Sequence, residues 1–210
     1  IRCWKQHDIE YWESFGISLE WLKYADIYPI SHKIVIKGSN RFTFVADKYA
    51  YAYVERKEGK VTLKIYQPFS TTFKWSNKHD RSVISLWTKI PEFGEKLVIC
   101  ASMKDALCLW ANTGIPAIAI QGEGYTMSDT AISELKRRYK EIYILLDNDE
   151  AGLTDSKKLA EQTGFTNLVL PNYGYKDVSD LYKGLQDPNQ FKQVIFSLIN
   201  GEEIKSNIPF

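Results

Sequence analysis

Cysteine and histidine are scarce, three of each in 210 residues. Cys3, Cys100 and Cys108 show no C-x-x-C spacing, so the chain holds neither a zinc ribbon nor a disulfide framework. Cys100 ends an apolar run and Cys108 sits in an apolar helical stretch, the places of reduced core thiols. That usage suits an intracellular, cytoplasmic setting. Long hydrophobic runs are missing too. No stretch approaches the roughly 20 apolar residues a membrane-spanning helix needs, and no secretory signal opens the chain, so no membrane partner is expected. There is no P-loop, no internal repeat and no low-complexity segment. The first residue is Ile1 rather than Met, which reads as a piece cut from a longer protein.

What is present is an ordinary globular composition, 44% hydrophobic and 25% charged, long enough to bury a sizeable core. The net charge of +1 conceals an asymmetry. Between Lys33 and Arg81 eleven Lys/Arg face four Asp/Glu, while the rest carries sixteen against twenty-two. A basic block followed by an acidic one predicts a polyanion held by one part and cations by the other.

The hydrophobic pattern changes class along the chain. Residues 8–24 read as helix with a break at Gly16–Ile17 and Ser18 as the second N-cap. KIVIK, RFTFV, KYAYAYVERK and VTLKIY, from Lys33 onward, enrich β-branched and aromatic residues and read as strands, with Glu58–Gly59 as a hairpin tip. Residues 76–95 read as mostly loop, with Pro91 and Gly94 as punctuation. Then come KLVICA, PAIAIQ, EIYILL and NLVLP, short apolar runs alternating with helical patterns. That alternation predicts a mostly parallel sheet flanked by helices. The expected divisions are 1–95, a smaller basic α+β subdomain; 96–186, a Rossmann-like α/β domain; and 187–210, a helical tail.

In such a sheet chemistry gathers at the carboxyl ends of the strands. The third apolar run leads straight into Asp147-Asn148-Asp149-Glu150-Ala151-Gly152. Alternation points Asp147 and Asp149 to one side, where like charges repel unless a cation sits between them. Mg²⁺ suits such a pair, because it takes one or two carboxylates and leaves room for substrate phosphates. The bland alternative, a helix N-cap, explains one aspartate better than two. After the fourth run stands Lys176-Asp177-Val178-Ser179-Asp180, again readable as a cap or as a second acidic motif on the same edge. The first run ends near Ala101-Ser102-Met103-Lys104-Asp105. The second ends at Gln121-Gly122-Glu123-Gly124, where glycine permits close backbone approach to a ligand.

Taken in order, these four strand ends resemble the TOPRIM domain of primases, topoisomerases and some nucleases, over roughly residues 96–186. Asp147 to Gly152 and Lys176 to Asp180 match the third and fourth motifs of that family, and Asp105 matches the aspartate of the first. The family's glutamate falls on Ala101 and its glycine on Ser102. Ahead of this region, Phe73-Lys74-Trp75-Ser76-Asn77 is similar to the Lys-Tyr-x-Asn stretch of DnaG-type and T7-like phage primases. Arg41 and Lys64 fall on looser matches.

The resemblance implies a primase catalytic core. It would make short RNA primers from NTPs on single-stranded DNA, with Mg²⁺ or Mn²⁺ held by Asp147, Asp149, Asp177 and Asp180. Asp105, and Glu123 in place of the missing glutamate, join Asp147 and Asp149 as catalytic candidates. Arg41, Lys64, Lys74, Trp75, Asn77 and Lys176 would hold nucleic acid and nucleotide, and a replicative helicase is the implied partner. Most of the tyrosines at 49, 51, 53 and 66 are expected to be sheet core; Trp75 is expected to be available to bases. Two other readings stand: a TOPRIM nuclease, and a metal- and DNA-binding module whose catalysis has lapsed with Ala101.

Overall fold

The structure, a computed structural model, describes residues 1–57, 59–77, 79, 82–122 and 124–203, with Lys57 and Asn77 described by backbone alone. Its contacts divide the chain into two units, Ile1–Glu13 with Ser18–Asp80, and Ser14–Ile17 with Arg81–Phe210. No helix among the described residues is long and apolar enough to cross a membrane.

The first unit opens with helices α1 (Gln6–Glu13) and α2 (Leu19–Tyr24). Ser18 caps α2 by accepting from the Trp21 N–H. An antiparallel sheet follows in the order β1 (Ile27–Pro29), β4 (Tyr51–Lys57), β5 (Lys60–Tyr66), β6 (Trp75–Asn77). A separate two-stranded ribbon is formed by β2 (His32–Lys37) and β3 (Asn40–Val45). Alternation along β4 sends Tyr51 and Tyr53 to one face, against Trp12 and Tyr66, and Ala52 to the other, with Ile30, Ala50 and Ile65. Tyr51, Tyr53 and Tyr66 are all buried, as expected for sheet core. The Asp8 carboxylate is sealed beneath them. Its two oxygens take a forked pair of bonds from Arg2, at 2.6 and 2.8 Å, and a third from the Tyr51 hydroxyl. Those donors hold Asp8 below the usual carboxylate range although burial pushes the other way.

The second unit is a parallel sheet in the order β10 (Thr166–Asn167), β9 (Tyr139–Leu145), β7 (Gly94–Cys100), β8 (Ala117–Ala119). Between and after the strands run α3 (Met103–Thr113), α4 (Asp129–Arg138), α5 (Glu150–Thr163), α6 (Val178–Leu185) and α7 (Pro188–Asn200). The central strands β7 and β9 are continuously apolar and buried over Leu97–Cys100 and Ile142–Leu145, because helices cover both faces there. This is the α/β, Rossmann-like arrangement the alternation predicts. The fourth strand is shorter than NLVLP suggests: pairing ends with the Leu168 N–H on Ile144, and Val169 is exposed at the sheet edge. Residues expected to be mostly loop also enter the sheet, since Ser85 bridges Ala119 on the far side of β8. Arg138 fastens the same segment by donating to the carbonyls of Ile90, Pro91 and Glu92. Gly16 sits here at φ +68°, where a Cβ would run into the Asn112 amide and the Tyr182 ring.

Candidate active site at the carboxyl edge of the parallel sheet

Strand β9 delivers Asp147 to the carboxyl edge, next to the end of β7, with Cys100 and Leu145 in register. Asp149 caps α5 by accepting from the Gly152 N–H at 2.9 Å. Gly152 is needed for close approach: a Cβ there would lie 2.8 Å from the Asp147 carbonyl carbon. The spacing Asp-x-Asp-x-x-Gly is therefore a packing requirement as well as a charge pattern. The loop before α6 returns to the same place, because the Asn148 N–H donates to the Lys176 carbonyl at 2.6 Å. Lys176 Nζ then stands 2.9 Å from Asp149 Oδ2 and 3.5 Å from Asp147 Oδ2. Asp149 is thus a helix cap, and the Lys176 ammonium lies beside both carboxylates of the Asp-x-Asp motif.

Electrostatics separates the two aspartates. Burial, then the charge of Asp177, pushes Asp147 above the ordinary carboxylate range, with Lys176 opposing. Asp149 is held below it by the Gly152 N–H and by Lys176. Lys176 is raised in turn, chiefly by Asp149. Asp177 caps α6: its Oδ1 accepts from the Asp180 N–H at 2.7 Å and from the Ser179 hydroxyl at 3.1 Å. Burial and Asp177 also raise Asp180.

Asp105 differs from the rest in being buried. Its carboxylate accepts from the Ser102 hydroxyl and from both the hydroxyl and the N–H of Ser179. Burial, then Asp177, raises it to about 7. It clasps the start of α3 to the start of α6. The position is that of a group that sets the spacing of the acidic loops. Ser102, Ser179 and Lys104 were not singled out from the sequence. Lys104 lies in the first turn of α3 with its side chain 13% exposed, 3.9 Å from Asp177 Oδ2 and 4.5 Å above the Phe15 ring. A serine beside each acidic motif and a lysine preceding Asp105 are visible in the sequence, but only the meeting of α3 with α6 gives them a role.

Of the other expected residues, Ala101 follows the end of β7 with no group to offer a cation, and Gln121 donates to Ser85. Glu123 lies outside the described residues. In the first unit, Lys64 Nζ sits 4.4 Å over the Trp75 ring, which stacks on Tyr66 at 4.3 Å. Burial lowers the Lys64 ammonium from its ordinary value. Trp75 is 36% exposed, and Lys74 and Arg41 are exposed. Asn77 pairs its backbone with Lys64, its side chain lying outside the described residues.

Among the described residues no three His, Cys, Asp or Glu side chains converge into a ready metal cage. The donors at this edge are nonetheless all oxygen, and two of them, Asp147 and Asp149, share one lysine ammonium that is 55% exposed. Two carboxylates bridged by an exchangeable cation fit Mg²⁺, which keeps several waters and completes its shell on phosphates.

Residues 98–182 match the Toprim-like family. The search of curated proteins finds no match. Among solved structures, the chain is similar to a DNA primase domain from Pseudomonas aeruginosa, at 14% identity and a TM-score of 0.67, covering 92% of this chain and 72% of that one. It is similar to the primase fragment of the bacteriophage T7 primase-helicase protein, at 16% identity and a TM-score of 0.55, covering 89% of this chain and 72% of that one. The zinc-binding and RNA polymerase domains of the Aquifex aeolicus primase match at 14% identity and a TM-score of 0.66, covering 92% of this chain and 56% of theirs. The chain thus has the fold of TOPRIM-containing DNA primase cores, with its Toprim-like region at residues 98–182.

Proposed function

We propose that the chain is the catalytic core of a DNA primase, a nucleotidyltransferase that joins NTPs into a short RNA on single-stranded DNA. The observation that carries this reading is the pair Asp147 and Asp149 under Lys176, at the carboxyl edge of a primase-type fold. We assign the divalent ion, Mg²⁺ or Mn²⁺, to Asp147 and Asp149 with Asp177 and Asp180 in support. Such an ion neutralises the triphosphate and the charge developing on the leaving pyrophosphate. Lys176 exchanges its carboxylate partners for phosphate oxygens when a nucleotide arrives. Asp105 keeps α3 and α6 in register and is assigned a positioning role. Glu123 is assigned the carboxylate role that Ala101 cannot fill.

Residues 1–95 are assigned to template and nucleotide, with Arg41, Lys64, Lys74, Trp75 and Asn77 as contacts, and residues 96–186 to metal. Residues 187–210 are assigned as a helical tail to the metal-binding part. A related structure is described as a DnaG primase catalytic domain bound to single-stranded DNA, and the T7 relative is part of a primase-helicase protein. By that likeness we assign a single-stranded template, a replicative helicase as partner, a phage-type source and a cytoplasmic setting.

A second reading rests on Ala101: a module that binds metal and DNA without catalysis. Primer synthesis on single-stranded DNA with Mg²⁺ or Mn²⁺, beside Ala101→Glu and Asp147→Asn, separates the two. Activity in the parent that disappears in Asp147→Asn is the expected result. Activity confined to Ala101→Glu identifies a lapsed core on a primase scaffold. Silence throughout, with oligonucleotide binding intact, supports the binding module.

A further inference from the structure

The β2–β3 ribbon pairs only with itself among the described residues, and two strands alone hold a marginal structure in water. Its turn is made by Gly38 at φ +61° and Ser39. Between His32 and Val45 it carries Lys33, Lys37 and Arg41 and no acidic residue. The register places Lys33 opposite Phe44, Val35 opposite Phe42, and Lys37 opposite Asn40, so all six share one face. Ile34, Ile36 and Arg41 share the other. On the first face Phe42 and Phe44 are each 46% exposed, and Phe73, from the segment before β6, is 60% exposed. Lys33 joins the two elements. Its ammonium lies 5.8 Å from the Phe44 ring, 5.3 Å from the Phe73 ring and 3.5 Å from the Ser76 hydroxyl.

Two exposed rings flanking the Lys33 ammonium, with Phe42 and Lys37 on the same face, are costly to leave in water and are not explained by the core of the first unit. Exposed π-faces recognise unpaired bases, which duplex DNA hides, while ammonium groups between them meet the phosphates of the same strand. An acid-free face also complements that strand over its length. We propose that this face of the ribbon is a stacking shelf for single-stranded nucleic acid, with Phe44 and Phe73 taking bases and Lys33 and Lys37 taking the intervening phosphates. The inference rests on the primase reading, and it names a surface on which Arg41, on the opposite face, does not act.

The test is fluorescence anisotropy with a labelled oligo(dT), an abasic strand of equal length, a duplex, and vesicles rich in anionic lipid. The proteins are the parent, Phe44→Leu with Phe73→Leu, and Ile36→Thr as the opposite-face control. Leucine keeps an apolar side chain, and circular dichroism checks folding. The parent should prefer oligo(dT) to the abasic strand. The double leucine variant should lose about tenfold or more of its oligo(dT) affinity, keep its abasic affinity, and leave Ile36→Thr like the parent. An unchanged preference in the double variant overturns the shelf and leaves the primase reading standing. Parent binding that ignores bases, or that favours vesicles, overturns the shelf in favour of a phosphate or membrane surface. No binding to any strand overturns both readings.

Discussion

The Asn148 N–H donates to the Lys176 carbonyl at 2.6 Å. That one main-chain bond joins the loop after β9 to the loop before α6, and so sets Lys176 over the two aspartates that flank Asn148. The acidic edge is thus built from backbone first, with the charged side chains placed by it.

Removing the lysine charge should expose the repulsion it covers. Lys176→Met is expected to lower the melting temperature without divalent ions, and to show a larger rise than the parent when Mg²⁺ is added. Calorimetric melts with and without Mg²⁺ check this. Equal Mg²⁺ responses would show that Lys176 does not occupy the cation's place.

Gly152→Ala should be harmful although alanine favours helices by roughly 1 kcal/mol. The added Cβ meets the Asp147 carbonyl, and overpacking of this kind costs about 1–3 kcal/mol. The outcome expected is weaker Mn²⁺ binding, read by electron paramagnetic resonance, together with a lower melting temperature. A variant as stable as the parent with unchanged Mn²⁺ affinity would show that the helix start can slide away from Asp147.

Asp105 provides a pH test. Its folded-state value, raised to about 7, exceeds that of an unfolded aspartate, so the folded protein holds the proton more tightly. Its contribution therefore favours folding at low pH and is lost as pH rises from about 4 through 7. In metal-free buffer, the melting temperature of Asp105→Asn relative to the parent should increase across that range. A difference independent of pH would mean that Asp105 ionises normally.

In the first unit Asp8 behaves in the opposite sense. Its value is depressed, so its contribution is full above the ordinary aspartate range and disappears as pH falls through the lowered value. Asp8→Ala also removes the acceptor shared by the Arg2 guanidinium and the Tyr51 hydroxyl, leaving Arg2 its bonds to the Cys3 and Lys48 carbonyls, and should cost about 1.5–3 kcal/mol at neutral pH. Urea denaturation at neutral pH measures it, and a loss under 1 kcal/mol would show that water replaces the carboxylate.

Much of this was legible in the residues. A continuous apolar run such as Tyr143 to Leu146 specifies a buried parallel strand, and a strand ending in Asp147 and Asp149 states its charge outright. Ser18, Ser128 and Asp177 announce helix starts, because a short polar side chain satisfies backbone N–H groups locally. The short fourth strand was less legible, since Val169 and Leu170 have strand propensity but, among the described residues, strand pairing stops at Leu168.

Local sequence decides only what neighbours along the chain can satisfy: alternation, caps and the sign of charge. It could not say that Asp105 is sealed beneath Ser179, since that depends on α3 meeting α6. Nor could it divide the aromatics of the first unit. Tyr51 is buried and Phe44 exposed, yet both stand in alternating strands; the difference is that β4 has partners on both sides and covered faces, whereas the β2–β3 ribbon pairs only with itself among the described residues. Burial and the pairing of distant groups are properties of the packed chain, because desolvation is set by every element that surrounds a residue and by no short stretch that contains it.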